Sequence, residues 1–313
     1  MSTWKILVTD GLDSSGIAIL KKSAEVVEMT GISPDDLLKE VVDFDALIVR
    51  GRTKVTAAVF DAGKKLKVVG RAGVGVDNID LVAAKSRGVT VVNSPMATTT
   101  AVAELTLGLM LDAVREIPRA DSSLKIGKWL KKEFNGFELS GKTLGVIGFG
   151  RIGAAVAKRA AAFEMTILGY DPMVPADEIV KRGGTPVSLD ELLAQSDMIT
   201  MHLPLTDQTK GMINADVFAK MKNGAFLICA ARGGVIDETA LLEALNSGKL
   251  AGAALDVFTT EPPGLTDLVM HPKLICTPHV GAQTVEAQRR ASNDISEEVI
   301  AVLNGLPLRW KVA

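Results

Sequence analysis

Hydrophobic positions in the first third of the chain come in short runs separated by amphipathic stretches. The apolar runs have the length of short buried strands, and they cover residues 5–8, 24–28, 46–49, 67–69 and 90–92. Helical periodicity covers residues 14–22, 34–41, 55–62 and 79–87, with Ser33 as the N-cap of the second helix. This alternation predicts a complete small α/β domain with a parallel sheet and right-handed crossovers.

A long apolar-periodic helix follows from residue 98 to about residue 115, and Pro118 marks its end or a kink. Residues 125–142 are polar, basic and interrupted by glycines, which predicts an extended arm. A subunit interface and a solvated loop with a positive face are both compatible with this arm.

A second alternating series begins at residue 143. Its predicted strands are residues 143–147, 165–170, 185–187, 198–201, 225–229, 252–255 and 274–276, with helices at 189–194 and 238–247 among the connections. The last helix, residues 284–303, is amphipathic and is followed by Asn304 and Gly305, a helix stop. We expect it to return to the first domain. The pattern therefore predicts two doubly wound α/β domains with parallel sheets.

A glycine-rich turn stands at the start of the second series. Gly148, Gly150 and Gly153 form G-x-G-x-x-G directly after an apolar run and before an alanine-rich helix. The turn predicts a pyrophosphate held at the N-terminus of that helix. Asp171 ends the next predicted strand, where a carboxylate receives ribose hydroxyls, and it is followed by Pro172 rather than by an arginine, which favours NAD over NADP. The first domain has no such turn, because the Asp-Gly-Leu-Asp segment from Asp10 lacks the spacing.

Three chemically apt residues follow three later strands of the same series: Arg232, Glu261 and His279. Since the carboxyl ends of parallel strands meet at one edge, we expect them to converge. Histidine suits general-base catalysis near neutral pH, a carboxylate can fix its tautomer, and arginine grips a carboxylate with two hydrogen bonds. Together they fit hydride transfer from a hydroxy acid. His202 is a cofactor-wall or loop histidine in this interpretation, and His271 a surface residue.

Composition narrows the functional class. The 313 residues are 47% hydrophobic and 4% aromatic with a net charge of −2, which fits two helix-covered parallel sheets and argues against nucleic-acid or anionic membrane partners. Cys229 and Cys276 lie in apolar runs, so reduced thiols are expected and neither a disulfide nor a metal site is supported. Without a targeting pattern or an apolar run of about 18 residues, a cytoplasmic protein is expected.

The chain resembles the D-isomer-specific 2-hydroxyacid dehydrogenases. Motifs shared with that family occur in family order along nearly the whole chain, at residues 47–50, 53–56, 69–80, 102–105, 127–129, 148–153, 231–237, 252–258, 261–263 and 277–282. The expected return of the last helix divides the chain into residues 1–97 plus 285–313 and residues 98–284, and the resemblance implies that these are a flavodoxin-like substrate domain and a Rossmann NAD-binding domain. It also implies a homodimer built through the cofactor domain.

The resemblance also implies site residues. The implied catalytic residues are Arg232, Glu261 and His279, as inferred from the strand ends. The cofactor-binding residues are Val74, Gly148, Gly150, Arg151, Ile152, Gly153, Asp171, Leu203, Ala230, Ala231, Arg232, Asp256, His279, Val280, Gly281 and Ala282. The substrate-binding residues are Arg50, Arg52, Arg71, Gly73 and, from a neighbouring subunit, Lys131.

The implied activity is oxidation of 3-phosphoglycerate to 3-phosphohydroxypyruvate with NAD, the first step toward serine. The family usually has serine where Gly51 stands and asparagine where Thr98 stands, and both positions belong to the substrate loops. A hydroxypyruvate or glyoxylate reductase, or another D-2-hydroxyacid dehydrogenase, is therefore the alternative. A non-catalytic NADH-sensing protein of the same fold is a third hypothesis.

Overall fold

The computed structural model describes residues 4–313, which separate into two compact units. Unit 1 comprises the described residues up to Thr98 together with Ala282–Ala313, and unit 2 comprises Thr99–Gly281. Among the described residues, no helix combines the length and the apolar composition needed to cross a bilayer.

Unit 1 is a five-stranded sheet in which every strand pairing is parallel. Its strands are β1 (Trp4–Val8), β2 (Ala24–Glu28), β3 (Ala46–Val49), β4 (Val68–Arg71) and β5 (Thr90–Asn93). Its helices are α1 (Ser14–Leu20), α2 (Pro34–Glu40), α3 (Ala57–Ala62), α4 (Leu81–Ser86) and α12 (Val285–Leu303). The strand order β2-β1-β3-β4-β5 is that of flavodoxin-like sheets, and it reverses between β1 and β3.

Helices cover both faces of this sheet. Successive side chains of a strand point to opposite faces, so neighbouring residues pack against different helices. In β1 and β3, Leu7 and Leu47 pack in the cluster that contains residues of α2, α3 and α4, whereas Ile6 and Ile48 pack in the cluster that contains residues of α1 and α12. This double burial explains why β3 reads as a continuous apolar run rather than an alternating one.

Helix starts in unit 1 follow their capping side chains. The Ser33 hydroxyl accepts a hydrogen bond from the Asp36 N–H, which confirms the predicted N-cap. Two predicted starts are too early. Asp80 caps α4, so that helix begins at Leu81 rather than at residue 79, and Val55 forms a parallel bridge with Ile79 instead of starting α3.

Unit 2 is a seven-stranded sheet, also parallel throughout. Its strands are β6 (Thr143–Ile147), β7 (Thr166–Tyr170), β8 (Thr185–Pro186), β9 (Met198–Met201), β10 (Ala225–Cys229), β11 (Leu250–Leu255) and β12 (Leu274–Cys276). Its helices are α5 (Thr99–Arg115), α6 (Ile117–Lys125), α7 (Arg151–Ala161), α8 (Ala176–Lys181), α9 (Leu189–Gln195), α10 (Ala215–Lys220) and α11 (Glu238–Asn246). The order β12-β11-β10-β9-β6-β7-β8 contains the Rossmann arrangement, and it reverses between β6 and β9. The predicted fold class is confirmed.

The junction between α5 and α6 differs from the prediction. α5 ends at Arg115, Glu116 adopts a left-handed conformation (φ 50°), and α6 begins at Ile117. Pro118 lies in the first turn of α6, where its missing N–H leaves no helical hydrogen bond unmade. It therefore starts a second helix, and irregular structure begins only after Lys125, with one 3-10 turn at Lys131–Glu133.

Candidate active site

Three neighbouring strands of unit 2 end at one edge of the sheet, and a predicted catalytic residue follows each. Arg232 follows β10, Glu261 follows β11 and His279 follows β12. All three belong to unit 2, so their arrangement is set within one compact unit.

His279 and Glu261 form a direct pair. The Nδ1 atom of His279 lies 2.8 Å from Oε2 of Glu261, and the other carboxylate oxygen accepts a hydrogen bond from the Phe258 N–H at 3.1 Å. Because a carboxylate only accepts, the proton belongs on Nδ1 and the lone pair of a neutral ring on Nε2. The His279 side chain is 50% exposed, and Nε2 makes no hydrogen bond to any described residue. The ring is therefore oriented with its basic nitrogen available.

Asp256 holds the loop that carries His279. Its buried carboxylate accepts hydrogen bonds from the Thr277 hydroxyl (2.6 Å) and from the N–H groups of Val280 (2.8 Å) and Gly281 (2.8 Å). Its carbonyl oxygen accepts the His279 N–H at 2.9 Å. His279 has φ 54°, a conformation that costs a side-chain-bearing residue about 1 kcal/mol or more, so these bonds hold a strained backbone in place.

Arg232 lies next to the same loops because of a glycine. A Cβ at Gly233 would overlap the carbonyl oxygen of Phe258, so only glycine lets the segment after β10 touch the segment after β11. The half-buried Arg232 donates from Nη1 to the Ala231 carbonyl at 2.7 Å. Nearby Cys229 is buried, which raises the pKa of its thiol to about 11 and keeps it protonated near neutral pH.

The glycine-rich turn lies where the strand order reverses. Gly148 follows β6 with φ 91°, and a Cβ there would lie 2.6 Å from the carbonyl oxygen of His202 after β9. A Cβ at Gly153 would overlap the Gly148 carbonyl oxygen. Gly150 differs, since its φ of −68° suits any residue and no described atom lies within 4 Å of its Cβ position. Glycine at this position leaves open space in front of α7.

That open space adjoins suitable groups for a dinucleotide. α7 begins at Arg151 without a side-chain cap, so the N–H groups of its first turn are available to a pyrophosphate. Asp171, after β7, accepts the Phe149 N–H (2.8 Å) on one oxygen and the Met173 N–H (2.8 Å) on the other. Lone pairs remain on both oxygens for ribose hydroxyls. The residues present thus fit the adenosine and pyrophosphate parts of NAD.

His202 lines this turn in an uncharged form. Its Nε2 lies 3.1 Å from the Thr200 hydroxyl, and its buried Nδ1 has no hydrogen-bond partner among the described residues. Burial lowers the pKa of this imidazole to about 3, so the ring is neutral at working pH. A neutral side chain beside the cofactor turn agrees with a wall residue rather than with a base.

The remaining predicted cofactor residues divide between the units. Those of unit 2 lie at the start of α7 or after β9, β10, β11 and β12: Arg151, Ile152, Leu203, Ala230, Ala231, Asp256, Val280 and Gly281. Val74 and Ala282 belong to unit 1, where the Val74 carbonyl accepts a hydrogen bond from Asn93 at 2.6 Å.

The predicted substrate residues of unit 1 gather at the carboxyl edge of its sheet. Arg50 follows β3, Arg71 is the last residue of β4, and Gly73 leaves room for the Arg71 guanidinium, which a Cβ there would strike. Arg52 donates to the carbonyls of Ile32 (3.1 Å) and Thr9 (3.2 Å), so much of its hydrogen-bonding capacity is used within the unit. Lys131 belongs to unit 2 and is exposed.

Comparison with known proteins agrees with this geometry. Residues 107–281 match the family model described as D-isomer specific 2-hydroxyacid dehydrogenase, NAD binding domain. The D-3-phosphoglycerate dehydrogenase of Methanocaldococcus jannaschii is 51% identical over 302 residues, which are 96% of this chain and 58% of that protein. The chain thus spans a little over half the length of this curated relative.

Two solved structures match over nearly their whole length. The TT0316 protein from Thermus thermophilus is 36% identical, with a TM-score of 0.90 over 99% of this chain and 100% of that one. A glyoxylate reductase from Paecilomyes thermophila is 30% identical, with a TM-score of 0.91 over 100% and 99% of the two chains.

Proposed function

Because the chain belongs to the family of D-isomer-specific 2-hydroxyacid dehydrogenases, we propose that it oxidises 3-phosphoglycerate to 3-phosphohydroxypyruvate with NAD, the first step toward serine. The observation that carries the proposed chemistry is the 2.8 Å contact between His279 Nδ1 and Glu261 Oε2. The relatives named D-3-phosphoglycerate dehydrogenase support the choice of substrate.

His279 is the general base in this proposal. Its Nε2 takes the proton from the substrate hydroxyl, and the carbon that bears this hydroxyl loses the hydride. Glu261 keeps Nδ1 protonated and stabilises the imidazolium that forms when Nε2 is protonated. A base of this kind typically contributes about 10²–10⁴-fold to the rate. NAD, when bound, supplies the hydride acceptor.

Arg232 binds the substrate carboxylate. The planar guanidinium can give two parallel hydrogen bonds to a carboxylate, which fixes the orientation of the carbon that loses the hydride. Its loop directly contacts the loop that contains Phe258 and leads to Glu261. The carboxylate clamp and the proton acceptor are thereby held at one edge of one sheet.

The substrate phosphate is assigned to Arg50, with Arg71, Gly73, Arg52 and a neighbouring subunit's Lys131 in the same set. Arg50 is half-buried, and its guanidinium makes no hydrogen bond or ion pair with the described residues. Burial lowers the pKa of this guanidinium, and the carboxylate of Asp10 opposes the shift. A cation held at low hydration without a close partner is suited to an incoming anion. Arg52 contributes mainly charge, since its donors are engaged.

The domain roles follow from the same proposal. Residues 1–97 plus 285–313 are assigned to the substrate-binding domain and residues 98–284 to the NAD-binding domain, whereas the compact units divide after Thr98 and after Gly281. Both cysteines are free thiols, which supports a cytoplasmic location.

We further propose that the protein works as a homodimer joined through unit 2. Large apolar side chains are exposed on α6 and along the arm after it: Ile117, Leu124, Ile126, Trp129 and Phe137. Such a concentration on one segment marks an association surface. Sedimentation equilibrium should give twice the chain mass, and a monomeric mass at micromolar concentration would refute this part.

Steady-state kinetics test the substrate. The protein should oxidise 3-phosphoglycerate with NAD, and with NADH it should reduce 3-phosphohydroxypyruvate with a higher kcat/KM than glyoxylate, hydroxypyruvate or 2-oxoglutarate. A higher value for an unphosphorylated acid would favour the reductase alternative, which the glyoxylate reductase similarity and the Gly51 and Thr98 departures support. NADH binding without turnover of any of these acids would instead favour the sensing protein.

A further inference from the structure

Asp10 occupies in unit 1 the place that the glycine-rich turn occupies in unit 2. It follows β1, beside the point where the strand order reverses between β1 and β3. In doubly wound sheets, ligands bind outside the carboxyl ends of the strands at this point. The loop after β3 starts at the same place and carries Arg50. Asp10 and the loop that carries Arg50 therefore lie together at the edge where a sheet of this kind binds ligands.

The carboxylate of Asp10 binds that loop through four contacts. One oxygen accepts the N–H groups of Arg50 (2.8 Å) and Thr53 (3.0 Å). The other accepts the Thr53 hydroxyl (2.5 Å) and lies 3.4 Å from Nε of Arg52. The Asp10 side chain is only 4% exposed, so water does not compete effectively for these contacts.

Asn78 completes the support by binding the carbonyl groups of the same loop. Its side-chain N–H₂ donates to the Arg50 carbonyl (3.0 Å) and to the Thr53 carbonyl (2.7 Å). Asp10 therefore satisfies N–H groups and Asn78 satisfies C=O groups at both ends of one short loop. With its backbone held on both sides, the loop leaves the Arg50 guanidinium as the group presented for binding.

We propose that Asp10 is a positioning residue that fixes the Arg50–Thr53 loop so that Arg50 meets the phosphate of the substrate. This inference rests on the proposed function, in which Arg50 is an anion contact. A purely electrostatic role would act in the opposite direction. The negative charge of Asp10 repels an anion, so its removal alone would strengthen phosphate binding, whereas loss of the loop geometry weakens it.

The variant Asp10→Asn separates the two effects. The amide retains one oxygen, and its NH₂ group must then face either the two backbone N–H donors or the Thr53 hydroxyl and Arg52. Loss of one or two charged hydrogen bonds predicts a KM for 3-phosphohydroxypyruvate that is higher by about 10–100-fold. The kcat should stay within about threefold and the Kd for NADH should be unchanged, because His279 and the glycine turn are in unit 2.

Thr53→Val provides a second variant with the charge intact. It removes the hydroxyl donor to Asp10 and little volume, and it should raise the same KM by about 3–10-fold. Asp45→Asn is the matched control, because the Asp45 carboxylate also accepts a backbone N–H, from Lys5 at 3.0 Å, but at the start of β1 and β3. Asp45→Asn should leave the KM unchanged.

The outcomes separate this inference from the proposed function. A wild-type preference for hydroxypyruvate over 3-phosphohydroxypyruvate contradicts the function itself. If the wild type prefers the phosphorylated acid, an unchanged or lower KM in Asp10→Asn overturns the positioning role alone. If Asp10→Asn does not fold, Thr53→Val decides, and an unchanged KM in that variant overturns the inference.

Discussion

The two units place different groups at the same point of a shared architecture. Each is a doubly wound parallel sheet whose strand order reverses beside its first strand. Unit 2 places glycines and the uncapped start of α7 there, so it offers backbone N–H groups. Unit 1 places Asp10 and Arg50 there, so it offers a side-chain cation on a fixed loop. The fold sets where a ligand can bind, and the few residues after the strands set which ligand it is.

A buried aspartate performs the same structural task in both units. Asp10 binds the loop that carries Arg50, and Asp256 binds the loop that carries His279. The residues that these loops present differ, one being a proposed binding group and the other a proposed proton acceptor. Substitutions that disturb the Arg50 loop should therefore change KM, whereas substitutions that disturb the His279 loop should change kcat.

The largest effect is expected from His279→Ala, which removes the proposed base from unit 2. The kcat should fall by about 10²–10⁴-fold, whereas the Kd for NADH, measured by fluorescence, should change little. His271→Ala is the control, since His271 contacts the backbone N–H of Lys273 in an exposed loop. A His279→Ala protein with near-normal kcat would show that the base has been assigned wrongly.

Asp256→Asn tests whether the second aspartate acts through catalysis rather than binding. Three donors meet its two oxygens, and the amide NH₂ would oppose the N–H of either Val280 or Gly281. The loop should then shift His279 and lower kcat by about 10–100-fold, with a smaller change in the KM for substrate. A changed KM with an unchanged kcat would show that Asp256, like Asp10, acts on substrate binding.

Arg232→Lys should affect binding although the residue lies in unit 2. Lysine keeps the charge but loses the planar fork, so we expect a KM about tenfold higher for every 2-oxo acid, phosphorylated or not. Asp10→Asn, by contrast, should affect the phosphorylated acid selectively. If both variants raised the KM equally for phosphorylated and unphosphorylated acids, the distinction between a carboxylate site and a phosphate site would not hold.

A further effect concerns stability rather than kinetics, and it should arise in unit 2, which contains all three histidines. The pKa of His202 is about 3 in the folded protein, against about 6.5 for an unperturbed histidine. Below pH 6.5 the unfolded chain binds a proton that the folded chain does not. Stability should therefore fall as the pH falls from 6.5 toward 3, by up to about 1.4 kcal/mol per pH unit.

His202→Gln should reduce that acid sensitivity. Urea unfolding at pH 7.5 and pH 5.0 measures it, and the comparison uses the difference between the two pH values because glutamine also changes the packing. His271→Gln serves as the control and should keep most of the wild-type dependence. An unchanged dependence in His202→Gln would mean that this ring is not the group that titrates.

Most elements were predictable because their signals are local. The β6, β9, β10 and β12 bounds match the predicted ranges, since each is an apolar run that ends at a polar or glycine-containing segment. The start of α6 was missed because a proline after a helix reads equally as an end or as a new first turn. The left-handed Glu116 that separates α5 from α6 has no signature in the sequence.

The proposed catalytic residues could be identified from their positions at strand ends, but their supporting contacts could not. Nothing local in the sequence relates Asp10 to Arg50 or Asp256 to Gly281, because each pair meets only when separate strands align in one sheet. The absence of a glycine turn after β1 was visible, whereas the role of the carboxylate there was not.

Local chemistry along the chain thus predicts the strands and helices, the glycine turn and the three residues Arg232, Glu261 and His279. Short-range periodicity, capping and residue type carry that information. The tertiary structure places His279 on Glu261, brings the loops after β10 and β11 into backbone contact at Gly233, and assigns Asp10 to the Arg50 loop. These are contacts between residues distant in sequence, and strand order and register create them.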